Sequence, residues 1–288
     1  MTVSRKTVLL LGGGYTLSRV AAILDPSTFI ITSRERLKLD SFANAGWTGA
    51  VADNSSLASL QAIADDYPDI EVVVDSVPPP RTETAEADSG VRNLLRAFSK
   101  SKLLRVIYLS TTGVFGVEDG SWVNEDTPAL CRHAWGRARL QCEEAYSSSP
   151  YETIALRIPA IYGPGRGLGT ALRTGSYRMI ADRDRWSNRI QVDDLAAAIA
   201  AAIRVKPLPG KICVADDCPA LTSEVVSYYC DTFSLTRPAS MTYDQAAERG
   251  MYTLLSNQRV SNRLMKDSLG IALKYPDYKA GAGSEFAL

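Results

Sequence analysis

One histidine, His133, and five cysteines without a CxxC pair are the scarcest features of this 288-residue chain. So little soft ligand chemistry argues against a zinc site. The odd number of cysteines (Cys131, Cys142, Cys213, Cys218 and Cys230) argues against a disulfide framework, so a reducing, cytoplasmic setting is expected. Charge of one sign is lacking as well. Lys+Arg and Asp+Glu both total 32, which leaves no net field to attract a phosphate backbone or an anionic membrane. No apolar run approaches the roughly 18 residues of a membrane helix. The run from Val8 to Leu11 ends at Gly12, Gly13 and Gly14, too early for a signal peptide. The expected partner is a small molecule, not nucleic acid or a membrane.

Hydrophobic residues are plentiful at 45%, enough to bury a full core. Short β-branched runs at 8–11, 29–32, 50–52, 71–75, 106–110 and 153–158 alternate with helical patterns such as 17–24, 57–65, 85–98 and 137–146. Such alternation predicts an α/β fold, a doubly wound parallel Rossmann sheet covered on both faces. After Tyr162 come a Gly-rich loop, a helix over 193–204 and shorter elements. The predicted division is a nucleotide-binding domain over 1–165, rejoined by 190–206, and a small C-terminal substrate lobe over 166–189 and 207–280. The Gly-Ala-Gly-Ser composition at 281–284 predicts a flexible tail over 281–288, with the look of a fusion scar.

The first strand runs into Gly12-Gly13-Gly14-Tyr15-Thr16-Leu17 and then a helix. Gly12 and Gly14 supply the tight turn and close backbone approach that a pyrophosphate requires, and the helix start at Tyr15, Thr16 and Leu17 supplies amide donors. Leu17 stands where the pattern has its third glycine. About twenty residues on, where NAD-preferring proteins place an acid on the ribose 2′-hydroxyl, stand Ser33 and Arg34. A guanidinium there can pair with a 2′-phosphate, so NADP is expected, with NAD as the other option. Asp53 either accepts from the adenine amine or caps the following helix.

Four segments now acquire a common meaning: the glycine turn, Leu109-Ser110-Thr111-Thr112-Gly113-Val114-Phe115-Gly116, Arg157-Ile158-Pro159-Ala160-Ile161-Tyr162-Gly163-Pro164-Gly165, and Ile190-Gln191-Val192-Asp193-Asp194-Leu195-Ala196. Their order resembles the extended short-chain dehydrogenase/reductase superfamily over nearly the whole chain. The chain looks most like the atypical NAD(P)-dependent epimerase/dehydratase-like branch, similar to the bacterial YeeZ proteins. The resemblance implies an NADP-dependent oxidoreductase or epimerase-like enzyme acting on a small polar substrate. It also implies a homodimer through helices 85–98 and 137–146. The alternative is a non-catalytic NADP(H)-binding sensor or scaffold.

Matched by motif, Thr111 takes the family's catalytic Ser/Thr place. Ser76, Val77, Ser110 and Pro159 fall where relatives touch the cofactor, with Pro78-Pro79-Pro80-Arg81 stiffening the loop after the fourth strand. The family's Tyr and Lys, four apart on one helix face, are replaced by Trp135 and Arg139. An indole does not ionise at working pH, so Trp135 is no general acid, whereas Arg139 keeps a charge for ribose hydroxyls. Candidates for the lost proton donor are His133, Tyr162 and Cys131, each with a plain structural role as its rival. Asp193 and Asp194 read as helix-capping acids rather than a catalytic pair.

Overall fold

The computed structural model describes residues 7–80, 86–207 and 209–287, so Arg81 and the first residue of the helix expected over 85–98 lie outside the described residues. The chain divides into two interleaved units. The first comprises 1–111, 137–157 and 196–212, and the second 112–136, 158–195 and 213–288.

The first unit carries a seven-stranded sheet. Strands β1 (Val8–Leu11), β2 (Phe29–Ser33), β3 (Gly49–Val51), β4 (Val72–Asp75) and β5 (Arg105–Thr111) take the order β5-β4-β1-β2-β3, with all four pairings parallel. Strands Glu152–Ile158 and Lys211–Cys213 extend the β5 edge. Burial of β1, β2 and β5 is unbroken along each strand, as expected of parallel strands covered on both sides. Helices α1 (Tyr15–Ala21), α2 (Leu37–Asn44), α3 (Leu57–Asp66), α4 (Ser89–Ala97) and α5 (Ala134–Ser147) follow in turn. On one face Leu9, Leu11, Ile30, Val73, Val106 and Tyr108 pack against Leu60 and Ile63 of α3, Val91 and Leu94 of α4, and Cys142 and Tyr146 of α5. Arg105, 1% exposed, ties the sheet edge to a helix end. Its Nε and one Nη donate to Glu152 at 2.8 and 2.6 Å, and its Nη1 donates to the carbonyls of Ala202 and Val205 at 2.7 and 2.8 Å. Those carbonyls end α7 (Val192–Arg204), so a buried cation serves the helix as its C-terminal cap.

The second unit is built from short paired strands and helices. Ala160–Tyr162 pairs in parallel with Arg189–Gln191, and Trp122–Val123 with Arg259–Val260. One of its cores joins Leu172 of α6 (Leu168–Arg173), Val225, Val226 and Tyr229 of α8 (Thr222–Phe233), and Tyr278 and Ala282. A second gathers Ile180, Met241, Ala246, Leu254 and Leu255.

Two expectations are corrected. The division falls elsewhere, because 112–136 and 158–165, expected in the nucleotide-binding domain, belong to the second unit. The flexible tail is instead a helix, Tyr278–Gly281, followed by a 3₁₀ turn, Ala282–Phe286, with Glu285 1% exposed. Tyr229 donates to Glu285 through its hydroxyl, and the Thr170 amide donates to it at 3.2 Å. A Cβ on Gly281 would lie 2.1 Å from Tyr162 Oη, so that glycine answers a packing need rather than flexibility. Among the described residues no helix is long and apolar enough to cross a membrane.

Candidate functional site

The β1–α1 turn is fixed from two sides. The Gly12 amide donates to Thr32 Oγ1 at 3.2 Å and the Gly13 amide to Thr32 O at 2.5 Å, which ties the turn to β2. Ser76 Oγ lies 2.8 Å from the carbonyl oxygen of Gly12 and 3.1 Å from that of Leu11, donating towards the turn from the end of β4. The three glycines then differ. Gly12 has φ +92°, and its Cβ would lie 2.8 Å from Ser76 Oγ; a Cβ on Gly13 would lie 2.5 Å from Phe42 Cζ and 2.9 Å from Thr32 O. A Cβ on Gly14 would meet only Gly12 O, at 3.9 Å. Gly12 and Gly13 are thus demanded by the protein itself. Gly14, exposed at the N-cap of α1, opens bare backbone to whatever approaches from outside, as a pyrophosphate cradle requires. Thr16 and Leu17 of the first turn are buried, Leu17 fully. Tyr15 is half-buried.

At the end of β2 the Ser33 hydroxyl accepts the Glu35 amide at 3.0 Å, and Arg34 is exposed. The Glu35 carboxylate sits 3.6 Å from Lys38 Nζ, which draws it towards its own helix. Asp53 does not cap α3: Ser56 does, accepting from the Ser59 amide at 3.2 Å. Asp53 Oδ1 accepts the Ser55 amide and hydroxyl at 3.0 and 2.8 Å, and these bonds, with a smaller contribution from Arg34, hold its carboxyl below the usual range.

The face of α5 towards the sheet carries polar groups that the sequence reading did not single out. Ser110 donates to Glu143, which pairs with Arg157 Nη2 at 2.8 Å; the three are 5%, 8% and 3% exposed. Ser110 is therefore engaged with the protein rather than open to a cofactor. The Tyr146 hydroxyl donates to Asp75 Oδ2 at 2.6 Å, and the Val77 amide donates to Asp75 Oδ1 at 2.9 Å. Burial pushes the Asp75 carboxyl above its ordinary value. Arg139 Nη1 donates to Leu109 O at 2.7 Å and Tyr108 Oη at 3.2 Å. Arg139, Cys142, Glu143 and Tyr146 follow helical spacing, the signal by which these partners are found in sequence. Thr111, 7% exposed, closes β5.

In the second unit Trp135 is half-buried in the first turn of α5, and the next residue explains the local fit. A Cβ on Gly136 would lie 2.8 Å from Gly113 O, so the helix start presses on the Thr112–Val114 turn. Tyr162, expected near a substrate mouth, is 3% exposed with its hydroxyl donating to Asp277 O at 3.3 Å; burial drives its ionisation far upward, which suits packing rather than proton transfer. Cys131 is buried too, its thiol donating to Val114 O at 3.1 Å. Pro159 is half-buried between two strands. Asp194 accepts the Lys274 and Tyr275 amides at 2.9 Å each, whereas the Asp193 amide is capped by the Gln191 side chain. The Asp194 carboxylate thus holds the 274–275 backbone rather than capping its own helix as the sequence suggests.

No model of a known protein family matches the chain. It is similar to a functionally unknown conserved protein of Silicibacter pomeroyi, at 30% identity and TM-score 0.78, covering 96% of this chain and 97% of that one. A protein of Methylobacillus flagellatus described as an NAD-dependent epimerase/dehydratase matches at 26% identity and TM-score 0.74, covering 96% of each chain. A 3-diazoavenalumate denitrifying reductase of Streptomyces is 24% identical over 253 residues, 82% of this chain and 83% of that protein. The Bordetella bronchiseptica enzyme WbmG, solved with NAD and UDP, shares the fold at 16% identity and TM-score 0.79, covering 98% of this chain and 94% of that one.

Proposed function

Since the chain belongs to the extended short-chain dehydrogenase/reductase superfamily, with NAD-dependent epimerase/dehydratase relatives, we propose that it is an NADP(H)-dependent oxidoreductase acting on a small polar molecule. The observation that carries this is the contrast within the glycine turn. Two glycines are closed off by protein atoms, and the third faces none nearer than 3.9 Å. Gly12, Gly14 and the α1 amides would hold the pyrophosphate, and Arg34 would hold a 2′-phosphate, favoured by the exposure of its guanidinium and by Lys38 drawing Glu35 aside. The nicotinamide would supply or accept hydride. Thr111 would bond the substrate oxygen.

Turnover tests this reading. NADPH oxidation is followed against aldehydes, ketones, imines and keto-sugars, with an arenediazonium salt added because the Streptomyces relative is a reductase of a diazo compound. Thr111→Val removes a hydroxyl at nearly constant volume and should lower turnover tenfold or more, on the order of 1.4 kcal/mol, with NADPH affinity little changed. Turnover unmoved by the change would remove Thr111 from the reaction. A non-catalytic NADP(H) sensor is the second reading. It is favoured by Trp135 in the family's tyrosine place and by Arg139 being held by Leu109 O and Tyr108. A parent that binds NADPH and reduces nothing in the panel establishes that reading instead.

A further inference from the structure

Strand β4 reads Val72-Val73-Val74-Asp75, three β-branched apolar residues and then a carboxylic acid that is 2% exposed. Burying a carboxyl is costly unless its oxygens are bonded, so the partners of Asp75 say why it is there. The strand order β5-β4-β1-β2-β3 reverses direction between β4 and β1, the place where open α/β sheets take their ligands. Asp75 stands in register with Leu11, the last residue of β1. It therefore closes β4 at that reversal, next to the glycine turn.

Both oxygens of Asp75 are engaged by groups of the first unit. Oδ2 accepts the Tyr146 hydroxyl of α5 at 2.6 Å, and Oδ1 accepts the amide of Val77, two residues on, at 2.9 Å. Tyr146 is itself 2% exposed, its ring 5.3 Å from that of Tyr108. Pro78, Pro79 and Pro80 follow Val77 and have no amide hydrogen, so the Val77 amide is the last backbone donor before the run. Asp75 takes it. The residues pinned in this way are the ones that lie against the turn. Ser76 Oγ donates to Gly12 O at 2.8 Å, and a Cβ on Gly12 would lie 2.8 Å from Ser76 Oγ and 3.1 Å from Val77 Cγ2. Helix α5 thus reaches the glycine turn through a single carboxyl.

We propose that Asp75 is a positioning residue for the cofactor, carrying the hold of Tyr146 to the Ser76–Val77 peptide and so setting the shape of the turn that receives the pyrophosphate. This rests on the NADP(H) reading proposed above. Asp75 itself touches no ligand in this role. It supplies an acceptor to the Val77 amide and a partner to the Tyr146 hydroxyl, so its hydrogen bonding matters and its charge does not. An asparagine keeps that property, because its carbonyl oxygen accepts from Val77 while its NH₂ donates to Tyr146 Oη. An alanine leaves both groups buried without it.

Solvent exchange of the Val77 amide, followed by NMR in the cofactor-free protein, reads the latch itself, and NADPH titration of the same folded samples reads its effect. Asp75→Ala should speed that exchange about tenfold or more and weaken NADPH binding about tenfold, the fold-change of one lost buried hydrogen bond. Asp75→Asn should bring both back to within about threefold of the parent. Should Asp75→Ala fail to fold, Tyr146→Phe takes its place, deleting one hydroxyl and weakening NADPH binding about threefold. Val77 exchange indifferent to these changes, or NADPH affinity unmoved in a folded variant whose exchange has risen, overturns the positioning role and leaves the NADP(H) reading standing. A loss in Asp75→Asn equal to that in Asp75→Ala overturns it as well, since hydrogen bonding would then not be what counts. A parent that binds no NADPH, while Val77 exchange still responds to Asp75→Ala, overturns the NADP(H) reading and the positioning role with it.

Discussion

The glycine turn and the start of α5 are held by the same device and differ in what stands beside it. In each, a glycine lets one backbone segment press on another. Gly13 would bring a Cβ to 2.9 Å from Thr32 O, and Gly136 to 2.8 Å from Gly113 O. Beside Gly13 stands Gly14, open to the outside as the superfamily's cofactor turn requires. Beside Gly136 stands the half-buried Trp135, with Arg139 a turn further on donating to Leu109 O and Tyr108 Oη. The same backbone device thus stands beside open backbone in the one place and beside an indole in the other.

The largest effect that would break the comparison comes from the packing beneath α5. Glu143→Ala removes the carboxylate that pairs with the buried Arg157 and should cost about 3–5 kcal/mol in urea unfolding. A loss under about 1 kcal/mol would mean that the Ser110–Glu143–Arg157 contacts do not hold the helix. Next, Gly13→Val drives a side chain into Phe42, Ile31 and the Thr32 carbonyl, and should cost about 3 kcal/mol or more. A variant of normal stability would show that the turn yields, and the contrast with Gly14 would vanish.

Asp216 offers a control away from both segments. It is 1% exposed, and burial pushes its carboxyl up from an ordinary 3.8 to about 7. The folded state therefore binds a proton that the unfolded chain has released, so the stability this group gives is full below the ordinary value and drains as pH rises to about 7. Between pH 5 and pH 8 the parent should lose roughly 2–3 kcal/mol relative to Asp216→Asn. Parallel stability profiles for the two proteins would contradict a protonated Asp216. The smallest effect sharpens the turn's specificity. Arg34→Ala should erase a preference for NADPH over NADH at a cost of about 1.5 kcal/mol, and equal affinities in the parent would remove the 2′-phosphate role.

The first unit was legible because its signals are local. β1 ends where three glycines stop it, and the continuous apolar strands announce a covered parallel sheet. The superfamily and fold followed from these segments. What was not legible depends on contacts distant in sequence. Residues 112–136 and 158–165 leave the sheet for the second unit, a choice set by long-range packing that no local period reports. The Gly281–Ser284 run reads as flexible by composition, yet Gly281 is small because the Tyr162 ring lies against it. Asp53 and Ser56 are equally good caps by residue type, and only the backbone chooses Ser56. Glu143 was overlooked because its partners, Ser110 and Arg157, sit on two different strands. The three glycines in a row concealed their difference for a similar reason. Phe42 and Ser76, which close two of them, come from elements 29 and 64 residues further along the chain.

The most direct test of the central claim is an NADPH titration of the parent and of Gly14→Val, with circular dichroism as the check on folding. A valine at this position meets no protein atom nearer than 3.9 Å at its Cβ, so the fold should stand, while a side chain in the space of the pyrophosphate should weaken binding by about a hundredfold or more. A folded variant that binds NADPH as tightly as the parent would show that the cofactor does not lie on this turn.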